Sequence, residues 1–160
     1  MRKLIVAALA ASTLVAAPAA AAEFTGPRLG LTVGTGGDDI VDFDGQTVGV
    51  ELGYDADLGN MVAGVGVEYQ TDLGDDFLEL NESAIVGRLG AKVGTGALVY
   101  GSAGYTRIGA SGTPFGGTGA DGYRLGLGAE FGAFKVEQRY YDYGNNVDAW
   151  QTVAGLNFRF

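Results

Sequence analysis

The sequence predicts an all-β fold, namely an eight-stranded antiparallel up-and-down transmembrane β-barrel. The first observation is that apolar residues recur with a period of two along eight segments, which is typical of strands with two unlike faces. The second is that long and short connections alternate between these segments. The third is a sorting of charge, since most cations fall within the segments while acidic residues fill the longer connections.

The first 22 residues are predicted to be a signal peptide that is cleaved from the chain. They begin with a charged stretch at 1–3, continue with an apolar run, and end with Ala20 and Ala22 in a small-x-small pattern. The apolar run is shorter than the roughly 20 residues that a membrane-spanning helix needs. We therefore expect an exported protein whose single mature domain covers 23–160.

The eight predicted strands each alternate between an apolar set of residues and a set rich in glycine and charge. Most are close to the roughly 9–11 residues that a tilted strand needs to cross the hydrocarbon layer. No proline interrupts a strand interior, as expected where every backbone N–H is paired. The first strand is the shortest and could begin earlier, at Phe24. The predicted strands cover 27–34, 46–55, 61–71, 82–93, 97–108, 122–131, 134–143 and 149–160.

The connections between the strands alternate in length. The segments 55–60, 94–96 and 132–133 are short and contain glycine, which suits tight hairpin turns. The other connections are longer and cover 35–45, 72–80, 109–121 and 142–148. An even number of strands places both chain ends on the rim with the short turns. We expect that rim to face the periplasm and the long loops to face outwards.

The apolar set is predicted to face lipid because it carries aromatic residues near the strand ends. Aromatic rings with a polar edge favour the headgroup level of a membrane. The aromatic residues assigned to this set are Tyr54, Tyr69, Tyr100, Tyr123, Phe131, Phe134, Tyr140, Trp150 and Phe160.

The opposite set is predicted to form an ion-pair network inside the barrel. It carries charges of both signs among glycines, and the interior of an eight-stranded barrel is only wide enough for side chains to fill. Charges in such a place must pair, because each costs several kcal/mol to desolvate. The predicted network comprises Glu51, Glu68, Glu82, Arg88, Lys92, Arg124, Glu130, Lys135, Glu137, Arg139 and Arg159, and we expect Arg28 to join it.

Acidic residues dominate the connections assigned to the outer rim. The net charge of −9 becomes two units more negative if the leader with Arg2 and Lys3 is removed, and this argues against nucleic acid as a partner. The loop around Asp42 lacks the spacing of an EF-hand, so we expect a solvated loop, with loose divalent-cation binding as the alternative. The acidic residues are Asp38, Asp39, Asp42, Asp44, Asp72, Asp75, Asp76, Glu79, Asp121, Asp142 and Asp148.

The chain lacks residues on which many enzymes depend. It contains no His and no Cys, which excludes His/Cys metal sites, disulfides and His-dependent hydrolysis. Beyond the leader, Ser83, Ser102 and Ser111 remain, and none lies in a G-x-S-x-G motif. We therefore expect no enzymatic activity, no cofactor and no metal.

Several features together resemble the small OmpA/OmpX/opacity-type outer-membrane barrels. They are the leader, the eight strands, the run VEQRYYDYG at 136–144 and the ending LNFRF. The resemblance covers the whole mature chain and implies the cell outer membrane as the location. It also implies that the barrel assembly machinery reads the last strand, which makes Trp150, Leu156, Phe158 and Phe160 the expected assembly signal.

Three functions are compatible with these features. The first is a non-enzymatic integral outer-membrane protein with a side-chain-filled lumen and an envelope-structural or surface-interaction role. The second is a narrow pore for ions or small solutes. The third is a soluble periplasmic barrel of lipocalin type, which would reverse the two faces. For the first, the expected partners are outer-membrane lipid, lipopolysaccharide and the barrel assembly machinery.

Overall fold

A computed structural model describes residues 24–37, 46–73, 81–109, 119–144 and 148–160. The predicted signal peptide lies outside these residues. So do these acidic residues of the predicted loops: Asp38, Asp39, Asp42, Asp44, Asp75, Asp76 and Glu79.

Eight strands form a closed barrel in which each strand pairs with its neighbours in chain order, and β1 closes the barrel against β8. All pairs are antiparallel. This arrangement confirms the predicted fold class. Among the described residues, no helix is long and apolar enough to cross a membrane. The strands are β1 Gly26–Gly37, β2 Gln46–Asp57, β3 Met61–Asp72, β4 Asn81–Val93, β5 Ala97–Gly109, β6 Gly119–Phe131, β7 Phe134–Asp142 and β8 Asp148–Arg159.

The two ends of the barrel differ. One end carries both ends of the described chain and three tight turns in which Gly59, Gly94 and Gly132 adopt positive φ angles that favour glycine. We call this end the terminal rim. The opposite end, where the predicted long loops leave the strands, is the loop rim.

Several strands continue further towards the loop rim than the sequence predicts. β1 extends to Gly37, and β6 already begins at Gly119. Asp121 therefore lies in a strand instead of a loop, and Asp142 pairs with Asp148 in the ladder between β7 and β8. The pairing of backbone hydrogen bonds continues in these segments beyond the apolar part of each strand. The residues there do not alternate between apolar and polar, so the sequence pattern does not predict them as strand.

The outward face of the barrel wall is apolar. Leu127, in the middle of β6, has 74% of its surface exposed, the same fraction as Phe160 at the chain end. A water-soluble barrel would bury such side chains, so this distribution contradicts the lipocalin-type alternative. Other exposed apolar residues of the wall are Val33, Val50, Leu52, Val65, Val67, Ile85, Leu89, Val99, Leu125 and Val136.

Aromatic side chains form a belt at each end of this apolar band. Near the loop rim, the rings of Tyr140 and Trp150 lie 5.0 Å apart. Near the terminal rim, Phe131 lies opposite Phe134 in the ladder. Two such belts are typical of barrels that cross a membrane, because aromatic rings settle at both interfaces.

Tyr100 is an exception, and its predicted place on the outward face is wrong. Its side chain is buried inside the barrel, where it lies opposite Gly128 of β6. A Cβ atom at Gly128 would come within 2.5 Å of the Tyr100 ring, so the glycine provides the space for it. Both faces of β5 carry apolar residues, and the sequence of this strand alone therefore does not distinguish inside from outside.

Candidate functional site: the charged network in the barrel lumen

Charged side chains fill the interior of the barrel. Equal numbers of cations and carboxylates meet there, which makes the set electrically neutral overall. We call this set the lumen network. Its cations are Arg28, Arg88, Arg124, Lys135, Arg139 and Arg159, and its carboxylates are Glu51, Asp55, Glu68, Glu82, Glu130 and Glu137.

The part of the network nearest the terminal rim is built on Asp55 and Glu130. Arg88 bridges them, with Nη2 lying 2.5 Å from Asp55 Oδ2 and Nη1 lying 2.5 Å from Glu130 Oε1. Arg159 forms a second bridge between the same two carboxylates. Asn157 Nδ2 also donates to Glu130. Both carboxylates are fully buried, and each is paired with both Arg88 and Arg159.

The middle of the network is built on Glu51. Its two oxygens are each 2.6 Å from a cation, Oε1 from Arg28 Nη1 and Oε2 from Lys135 Nζ. Arg28 Nε also lies 3.3 Å from Asp55, which connects this part with the part nearest the terminal rim. Lys135 Nζ lies 3.6 Å from Glu137 and connects the middle of the network with the part nearest the loop rim.

The part nearest the loop rim is built on Glu68. Arg139 Nη1 lies 2.6 Å from Glu68 Oε1, and Arg124 Nη2 lies 2.6 Å from Glu68 Oε2. Arg139 Nη2 also donates to Glu137 at 3.0 Å, and Arg124 Nη1 lies 3.8 Å from Glu82. Every carboxylate of the lumen network is therefore connected to the others through shared cations.

Neutral side chains continue the filling above the charges. The Tyr141 hydroxyl donates to Gln151 Oε1 at 2.9 Å, and Gln151 Nε2 donates to Thr47 at 2.9 Å. Tyr143, beyond the end of β7, stacks on Tyr141 with ring centroids 6.0 Å apart. Burial raises the pKa of the Tyr143 hydroxyl well above its usual range, and the nearby charge of Glu82 raises it further. This layer carries no net charge.

Little empty space remains between the charged side chains. A void lined by residues that include Arg28, Glu51, Arg124 and Glu137 has a volume of about 10 Å³. This is room for about one water molecule. The Nε–H groups of Arg28 and Arg124, two residues that line this void, make no hydrogen bond to the described residues.

The structure places one predicted member outside the lumen network and adds one that the sequence analysis missed. Lys92 lies at the terminal rim, partly exposed, and pairs with Asp57. Asp55, the last residue of the second predicted strand and the first of the turn after it, is absent from the predicted network, yet it is fully buried and binds Arg88. The alternation of β2 continues from Glu51 through Gly53 to Asp55, and following it to the end of the predicted strand would have identified this carboxylate.

The side chains of the predicted assembly signal lie along one face of β8. Trp150 belongs to the outward aromatic belt near the loop rim, and Phe160 is exposed at the terminal rim. Leu156 and Phe158 lie between them and are partly exposed. Their neighbours Val153 and Asn157 point inwards and are buried. Trp150, Leu156 and Phe158 thus lie on β8, which closes the barrel against β1, and Phe160 directly follows this strand.

Two arrangements among the described residues bear on catalysis and on metal binding. Ser102 Oγ donates to Glu137 Oε1 at 2.6 Å, but Glu137 is also held by Arg139 and Lys135 inside the lumen. A carboxylate neutralised by two cations is a poor general base. Among the residues that the structure describes, no group of three or more His, Cys, Asp or Glu side chains is arranged to hold a metal ion.

Comparison with known proteins places the chain in a family. A family model described as "Outer membrane protein beta-barrel domain" matches residues 7–160. No curated protein sequence matches the chain significantly.

Solved structures share the fold at low sequence identity. The N-terminal β-barrel domain of Pseudomonas aeruginosa OprF is 16% identical, with a TM-score of 0.58 over 82% of this chain and 96% of that one. Neisserial surface protein A is 10% identical, with a TM-score of 0.59 over 84% and 96%. The outer membrane enzyme PagL is 16% identical, with a TM-score of 0.56 over 83% and 99%. The chain therefore belongs to the outer membrane protein β-barrel domain family, and its location is the cell outer membrane.

Proposed function

We propose that this protein is a non-enzymatic outer-membrane barrel with a closed lumen, which serves the envelope as a structural element or a surface for contacts. The observation that carries the proposal is the lumen network itself. It fills the middle of the lumen with paired charges, and the void enclosed among these charges measures only about 10 Å³.

The pairing argues against a pore for ions or solutes. A permeating ion would have to separate pairs such as Arg139–Glu68 or Lys135–Glu51, whose atoms lie 2.6 Å apart. Breaking a buried pair leaves an uncompensated charge, at a cost of about 3–5 kcal/mol. Barrels with water-filled channels have about 16–18 strands, and this one has eight.

The absence of enzymatic activity is proposed from side chains and not from the fold. PagL is an enzyme with a similar barrel, so the fold alone does not decide the question. This chain contains no His to act as a general base. Ser102, the buried serine of the lumen, donates to a carboxylate that two cations already neutralise.

The proposal predicts that the refolded protein does not conduct steadily in planar lipid bilayers. Correct folding is checked first by the heat-modifiable mobility that is typical of such barrels on a gel. A refolded preparation with steady current steps in proportion to the amount of protein would contradict the closed lumen and favour the pore. Replacing Arg139 with alanine serves as the comparison, because it removes a cation from the network and should raise the current.

We further propose that the outer surface of the loop rim contacts the headgroups of outer-membrane lipid and lipopolysaccharide. Three outward tyrosines of the aromatic belt near the loop rim bind acidic side chains. Tyr123 donates to Asp142, Tyr105 binds Asp121, and Tyr140 binds Asp148. Such pairs join an aromatic ring to a charged group, which suits the boundary between hydrocarbon and headgroups. Long loops of these barrels face the outside of the cell, which supports this orientation.

The outward face of β8 supports a third proposal, that the barrel assembly machinery binds the last strand. Phe160 is exposed, and Phe158 lies on the same face. Deleting Phe160 should lower the amount of protein in the outer membrane while export across the inner membrane continues. Fractionation with antibody detection measures both pools. Normal outer-membrane levels of the shortened protein would contradict a role for Phe160 in assembly.

A further inference from the structure

An apolar layer closes the lumen below the charged network, at the terminal rim. It contains Val62 and Leu98, each the second residue of its strand, together with Tyr100. Residues so close to the end of a barrel would normally meet water. Yet Val62 and Leu98 are both 0% exposed. Another group must therefore cover them.

That group includes the side chain of Phe24, which precedes the first strand. Phe24 is 2% exposed and belongs to the same buried cluster as Val62, Leu98 and Tyr100. It is not part of the backbone ladder, since β1 begins at Gly26. The apolar layer is thus completed by a residue outside the barrel wall.

The backbone beside Phe24 is built to turn into the mouth of the lumen. Gly26 has a φ of +98°, a conformation that other residues rarely adopt. A Cβ atom there would also lie 2.8 Å from the carbonyl oxygen of Phe160. Thr25 lies between Phe24 and Gly26 in the chain, and its hydroxyl donates to the backbone oxygen of Asp55 at 3.2 Å. These features hold the start of the described chain against β2 and β8.

Phe24 also contacts the lumen network directly. The guanidinium of Arg159 lies over the Phe24 ring, 4.9 Å from its centre. The same guanidinium binds Glu130 and Asp55, the carboxylates nearest this rim. An apolar ring beside these pairs keeps water away from them, and ion pairs are stronger where water is excluded.

We propose that Phe24 is a removable cap that closes the terminal mouth of the lumen and keeps water from the charges behind it. The proposal rests on the closed lumen proposed above, and it adds that the barrel wall alone does not complete the closure. Because Phe24 makes no strand pairing, the cap opens without breaking a ladder hydrogen bond. The terminal mouth of the lumen can therefore be uncovered while the described strand pairing remains intact.

A single reporter cysteine tests the cap, since the chain has no cysteine of its own. Val62→Cys places a thiol of similar size in the covered layer. The refolded protein is treated with a charged, water-soluble methanethiosulfonate reagent, and the labelling rate is followed by mass spectrometry. We expect slow labelling when Phe24 is present and a rate several-fold higher in the Phe24→Ala background.

Phe134→Ala is the matched control, because Phe134 is an aromatic residue at the same rim but faces outwards, with 68% exposure. It should leave the labelling rate unchanged. Thr25→Val removes the hydroxyl that anchors this segment but keeps Phe24, and it should give an intermediate labelling rate. This variant tests the cap even if Phe24→Ala folds poorly. Equal rates in the Phe24→Ala, Thr25→Val and unaltered backgrounds, whether slow or fast, would overturn the cap.

Current measurements separate this proposal from the closed lumen. Because the paired charges behind the cap still block ions, Phe24→Ala should be as silent in the bilayer as the unaltered protein, although its reporter thiol is labelled faster. If only Arg139→Ala conducts and the reporter thiol is labelled equally slowly with and without Phe24, the lumen is closed but Phe24 does not cover its terminal mouth. If the unaltered protein already conducts steadily while its reporter thiol stays protected, the closed lumen fails and the protection of the apolar layer by Phe24 stands.

Discussion

Replacing Arg139 with alanine should lower the free energy of unfolding by about 3–5 kcal/mol, the usual loss when one partner of a buried ion pair is removed. Arg139 is 0% exposed and is shared by Glu68 and Glu137. Without it, Glu68 keeps Arg124 and Glu137 keeps only the more distant Lys135, at 3.6 Å. The expected loss follows from the carboxylate charge that then remains poorly compensated inside the lumen.

Unfolding by urea in lipid vesicles measures this loss, and Trp150 as the sole tryptophan provides the fluorescence signal. Arg139→Lys should lose less, because it keeps the charge but not the two-pronged contact with both carboxylates. Lys92→Ala is the matched control at the terminal rim, where its pair with Asp57 is partly exposed and should contribute little to stability, as exposed pairs usually do. Equal losses for Arg139→Ala and Lys92→Ala would mean that water reaches the network freely.

Leu127→Arg should destabilise the barrel by about 2–4 kcal/mol, the cost of a cation on the lipid face near the centre of a membrane. Leu127 lies in the middle of β6 and is 74% exposed on the outward face. It is flanked in the ladder by Gly101 and Gln138, so no charged side chain lies directly opposite to pair with the new cation.

Phe131→Arg, on the same face of the same strand, provides the comparison for depth. Phe131 belongs to the aromatic belt at the terminal rim, where a cation should cost only about 0–1 kcal/mol. Urea unfolding in vesicles of defined lipid composition measures both variants. If Leu127→Arg is as stable as the unaltered protein, the outward face of β6 does not meet hydrocarbon in the way that the barrel requires.

Much of the lumen network could be predicted because alternation assigns each side chain to a face. Once Leu127 is assigned to lipid, Arg124 and Glu130 must face inwards, and the structure places them there. Where both faces of a strand carry similar residues, this argument fails, as it does for Tyr100. The alternation predicts Phe24 only as an earlier start of the first strand. The structure instead places it before β1, which begins at Gly26, and its contacts depend on a turn in the backbone that alternation does not predict.

The sequence by itself determined the eight strands, the order in which they pair and the apolar character of the outer wall, because these depend on local alternation and on the lengths of the connections. Only the tertiary structure decided which charges meet. Arg88 reaches Asp55 and Glu130, and Arg139 reaches Glu68 and Glu137, across strands that are distant in the chain. The reason is the closure of the barrel, since the tilt and stagger of its strands shift facing residues along the axis. Alternation with a period of two predicts which side chains point inwards. Their position along the barrel axis depends on the closed barrel.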